Sequence, residues 1–78
     1  MTEEYKLAID SLKKEIGDCA AYIAKLRVHQ SLNIEKKMSD QKIEEAIEYQ
    51  RKDIEYAWKT IELLESLLAK EDNGSEHD

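Results

Sequence analysis

Apolar side chains recur at alternating intervals of four and three residues along two stretches of this 78-residue chain, and the two stretches are out of phase. The first runs through Tyr5, Ile9, Leu12, Ile16, Cys19, Ile23 and Leu26, and Gln30 and Asn33 continue its spacing with polar groups. The second runs through Ile43, Ile47, Gln50, Ile54, Ala57, Ile61, Leu64 and Leu68. Such an alternation places its members on one stripe of an α-helix, the seam by which a helix packs on a neighbour. A single regular heptad helix does not accommodate both seams. The rival that keeps the chain unbroken is one long helix with a stutter, in a parallel dimer.

The break falls in EKKMSD, residues 35–40. Lys36 and Lys37 suit the negative end of a helix dipole. Ser39 is a good N-cap, with Met38 and Ile43 at the N′ and N4 positions of a hydrophobic staple. Thr2, followed by Glu3 and Glu4, opens the first helix in the same manner. The expected fold is all-α, a two-helix antiparallel coiled-coil hairpin over residues 1–71. Helix one spans about residues 3–35, the turn about 36–39 and helix two about 40–70. Asn73-Gly74 is a stop signal, so residues 72–78 are expected to form a disordered acidic tail.

Folding helix two back on helix one pairs seam residues whose numbers sum to 73. The layers run from Tyr5–Leu68 through Ile16–Ala57 and Cys19–Ile54 to Leu26–Ile47 and Gln30–Ile43. Small residues then face large ones in the middle layers, which lets them interdigitate. The same register sets Lys6 against Glu65, Arg27 against Glu44, Lys13 over Trp58 and Tyr22 within reach of Asp53.

A chain this short holds one domain, and a core of this size is marginal on its own. With no proline, two glycines and 38 % charged residues, its composition is that of long helices. No stretch resembles a signal peptide or is apolar enough to span a membrane, so the expected location is the cytoplasm. The lone Cys19 has no internal disulfide partner and falls on the seam, where a small buried hydrophobe is expected. His29 and His77 lack metal-ligand spacing. No nucleophile motif or glycine-rich phosphate loop is present, so neither enzymatic activity nor a cofactor is expected.

The charge is asymmetric. Residues 1–37 carry seven Lys/Arg against six Asp/Glu, and residues 38–78 carry five against twelve. An acidic second half disfavours nucleic acid and suits a basic protein surface. Glu48, Glu55 and Glu62, with Glu44 and Glu65 beside them, form a candidate acidic ridge. A ridge of this kind either keeps a helix soluble or docks on a basic partner.

Ile-Glu-Tyr at 47–49 recurs at 54–56, and Ile-Glu-Leu follows at 61–63. The isoleucines belong to the seam. Tyr49, Tyr56 and Leu63 lie off to one side, and with Leu67 and Tyr22 they widen the apolar arc beyond what a two-helix seam buries. An arc of this width marks an interface. Its simplest occupant is a second copy, giving a homodimeric four-helix bundle. The expected function is therefore a small protein-interaction module, an adaptor or an inhibitor that occludes a surface of a larger protein. The alternative is a nucleic-acid-binding hairpin dimer that uses the basic residues of helix one, Lys13, Lys14, Lys25, Arg27, Lys36 and Lys37.

Overall fold

The computed structural model describes residues 2–32 and 39–77, with side chains described to residue 71. Helix α1 spans Thr2–Leu32 and helix α2 spans Asp40–His77. The two pack against each other as a helical hairpin. The expected end of helix one near residue 35, the staple residue Met38 and most of the turn lie outside the described residues.

Ser39 starts α2 as its chemistry dictates. Its Oγ accepts a hydrogen bond from the Lys42 amide at 3.3 Å, and its carbonyl accepts from the Ile43 amide at 3.0 Å. One otherwise orphan N–H of the first turn is thereby satisfied. The other end of α2 departs from expectation. The helix runs to His77, past Lys70 and through Asn73-Gly74, over residues expected to be disordered. Glycine disfavours a helix interior by only about 1 kcal/mol, and no proline follows to block the ladder.

Every seam position from Tyr5 to Gln30 and from Ile43 to Leu68 is buried or half-buried. The buried residues fall into two groups. Leu26, Ile43 and Ile47 pack together near the turn, with Ile23 and Ala46 against them. Ile9, Ala57 and Ile61 are buried towards the other end. Between the groups is a half-buried waist of Cys19, Ile23, Gln50 and Ile54. Cys19 is small and Gln50 is polar, so these layers offer less apolar bulk to bury than the isoleucine and leucine layers on either side.

Beside the turn, Arg27 Nη1 donates to Glu44 Oε1 and, at 3.0 Å, to Gln30 Oε1. Gln30 Nε2 also reaches Glu44 Oε1 at 3.4 Å. These contacts hold Glu44, through the Arg27 hydrogen bond first and the Gln30 bond second, below the ordinary carboxylate range. They are consistent with the register that pairs residues summing to 73, in which Leu26 packs with Ile47. The other flanking pairs do not form. Among the described residues neither Lys6–Glu65 nor Tyr22–Asp53 makes an ion pair or hydrogen bond, and Trp58 stays largely exposed. Long exposed side chains gain too little from one fixed geometry to offset the rotamer freedom it costs.

Candidate protein-interaction surface

The α-helix turns 100° per residue, so residues seven apart return to nearly the same face about 10.5 Å further along. Ile47, Ile54 and Ile61 use that repeat to face α1. Tyr49, Tyr56 and Leu63 use it two positions later, and α1 does not cover them: they are 66 %, 74 % and 61 % exposed. Leu67 and, from α1, Tyr22 stand on the same side at 36 % and 47 %. The structure therefore sets these five expected residues along one side of the hairpin, with rings and isobutyl groups open to water.

Between this row and the seam lie Ala46, Asp53 and Thr60, all half-buried. Thr60 turns its hydroxyl back on its own helix and donates to the Tyr56 carbonyl at 2.8 Å. Asp53 makes no hydrogen bond or ion pair among the described residues. Its charge is nonetheless felt across the waist. Burial first, then the negative fields of Asp53, Glu15 and Asp18, push the Cys19 thiol above its ordinary range. A thiol held in its neutral form is a poor nucleophile, in keeping with a packing role for Cys19.

All five residues of the acidic ridge are exposed. They are not equivalent. Glu44 is engaged by Arg27 and Gln30, and Glu55 pairs with Lys59 at 3.0 Å within α2. Among the described residues, Glu48, Glu62 and Glu65 carry no such contact and keep their acceptor capacity. Glu48, Glu55 and Glu62 sit one residue before Tyr49, Tyr56 and Leu63, about 100° round the helix from the apolar row. The two rows thus face different directions. Of the basic residues on α1, Arg27 is neutralised by Glu44, whereas Lys13, Lys14 and Lys25 are exposed. Lys36 and Lys37 lie outside the described residues.

The reading of the sequence missed Leu7 and Val28, which stand 61 % and 56 % exposed on the outer side of α1. Both lie on one helical row, but Lys14 and Ala21 separate them, so no continuous apolar signal marks the pair. Among the described residues no group of His, Cys, Asp and Glu is placed to hold a metal ion, and no helix is long and apolar enough to cross a membrane.

No family model, curated protein or solved structure matches this chain.

Proposed function

We propose that this chain is a non-enzymatic protein-interaction module with two working faces. Its tyrosine–leucine row is an assembly surface that completes a four-helix bundle. Its acidic ridge engages a basic surface of a larger protein, which the module occludes or recruits as a cytoplasmic adaptor or inhibitor. The observation that carries this reading is the pair of rows on α2. Tyr49, Tyr56 and Leu63 are exposed in line where α1 leaves them uncovered, and unengaged Glu48, Glu62 and Glu65 follow another side of the same helix. Exposed apolar side chains in a continuous row favour association because each removes apolar surface from water, at about 25 cal/mol per Å². Carboxylates that stay in water contribute little to folding, so their concentration on one side is better spent on steering a cationic partner.

The test compares the unmodified chain with Glu48→Gln/Glu62→Gln/Glu65→Gln as baits, with the retained proteins identified by mass spectrometry and titrated against salt. A basic partner that binds the unmodified chain, weakens as salt rises and is lost on the triple variant supports the ridge. Equal binding by both baits, with the same salt dependence, assigns the ridge to solubility and overturns that half of the proposal.

A further inference from the structure

The row on α2 is a second heptad seam. From Ala46 through Tyr49, Asp53, Tyr56, Thr60 and Leu63 to Leu67 the spacing alternates three and four. A helix with two adjoining seams is built to contact two neighbours, and α1 supplies only one. The matching row of α1 is different in kind. It carries Glu15 and Asp18 before Tyr22, and Lys25 and His29 after it. A row that is acidic at one end and basic at the other complements a second copy of itself only when the two run antiparallel.

Resting on the reading of this face as an assembly surface, we propose that its occupant is a second copy of the chain. The two copies are related by a two-fold axis that sets α1 antiparallel to the partner's α1 and α2 antiparallel to the partner's α2. On α1 the charges select the register. Layers summing to 40 pair Glu15 with Lys25 and Asp18 with Tyr22 across the axis, with Ala8 facing Leu32 at the ends. The heptad-related register at 33 would set Glu15 against Asp18, and that at 47 would bury Glu15 against Leu32. On α2 the apolar groups select it. Layers summing to 109 pair Tyr49 with Thr60, Asp53 with Tyr56 and Leu63 with Ala46. The register at 116 would set Asp53 against Leu63, and that at 102 would leave Leu63 and Leu67 facing the turn.

A single two-fold axis must serve both helices. Half of 40 places the axis at position 20 of α1, and half of 109 places it at 54.5 of α2. The intramolecular register puts position 20 level with 53, so the two estimates agree to 1.5 residues, or about 2 Å of helix rise. That level is the waist at Cys19 and Ile54, where the facing seam residues are only half-buried. Asp53, half-buried and without a hydrogen bond among the described residues, gains the partner's tyrosine hydroxyl as donor. The face is large enough. A hairpin of 63 × 16 Å presents roughly 1,000 Å² in projection, against the roughly 800 Å² per partner of a standard stable interface. The row of Glu48, Glu55 and Glu62 stays outside this contact.

The experiment is sedimentation equilibrium on the full chain and on Glu15→Lys, Lys25→Glu and the double reversal, with helix content followed in parallel. Glu15 and Lys25 are ten residues apart on one helix, roughly 15 Å, so they do not pair within a chain. Each single reversal creates two like-charge contacts by symmetry and should weaken dimerisation about tenfold. The double reversal should return it to near the unmodified value. Both residues are exposed in the single chain, so helix content should hold throughout. A dimer that weakens additively in the double reversal, or ignores all three variants, refutes the pairing of like helices while leaving an assembly surface in place. A folded monomer at a hundred micromolar refutes the second copy as occupant. If Tyr56→Glu then also fails to disturb every protein retained by the unmodified bait, the assembly surface itself is refuted.

Discussion

Replacing Gly17 by alanine tests both the helix and what covers its outer side. Gly17 lies in the interior of α1, exposed, and a methyl group built on it meets nothing within 4 Å. No steric term therefore opposes the substitution. Glycine is about 0.8–1.0 kcal/mol worse than alanine in a helix interior, because it loses more backbone freedom on folding. The site is helical and unobstructed, so the whole difference should appear as stability, close to 1 kcal/mol. For a domain of this size that raises Tm by about 4–8 °C at fixed protein concentration. Thermal unfolding followed by circular dichroism measures it, with urea titration confirming that the midpoint moves and the slope does not. A gain below about 0.3 kcal/mol, or a loss, would contradict a continuous α1 through this position. Ala20, Ala21 and Ala24 are small, exposed residues near Gly17 on α1, and the same variant tests whether a partner helix seats against them. If one does, the added methyl should weaken that partner's binding while still raising Tm.

Ile47→Ala removes a side chain with no exposed surface and should cost about 2–5 kcal/mol by chemical denaturation, enough to leave the hairpin largely unfolded. Ser39→Ala deletes the cap on the Lys42 amide and should cost about 1 kcal/mol, with amide exchange accelerating first at the start of α2. The Cys19 thiol, raised in the folded state, should alkylate more slowly than a free thiol at pH 8 and reach the free rate in urea. Its sign follows from the same shift. Stability contributed by the neutral thiol is complete below the unfolded pKa and is lost as pH rises through the higher folded value, so the chain should weaken in the alkaline range.

The hairpin was legible because a heptad pattern encodes orientation as well as helicity. Two seams out of phase require a break, and matching their ends gives a register consistent with the Arg27 contact with Glu44. What could not be read was set by weaker forces. Lys6–Glu65 and Tyr22–Asp53 depend on rotamers of exposed side chains, where solvent competes on nearly equal terms. The end of α2 depends on a glycine preference of about 1 kcal/mol, too small to decide a helix stop alone. The exposed row of Tyr49, Tyr56 and Leu63 was legible for the converse reason. Its periodicity exceeds what α1 can cover, and geometry forces the excess outward. The unequal state of the ridge was legible only in part: the register set Arg27 against Glu44, but the pairing of Glu55 with Lys59 and the lack of a partner at Glu65 emerge only from the folded chain.

The hairpin measures 63 × 16 × 13 Å, with a radius of gyration of 18.1 Å. A compact chain of this length would have a radius near 11–12 Å. A particle so drawn out meets the friction of a much larger sphere, and it migrates through a sizing column ahead of globular standards of equal mass. One hairpin would elute where a globular dimer is expected, and a side-by-side pair, thicker but scarcely longer, would elute only a little earlier. Elution volume is thus a poor witness to assembly in this protein. Light scattering, sedimentation equilibrium or native mass measurement, which weigh the particle rather than gauge its drag, are the methods that can count its copies.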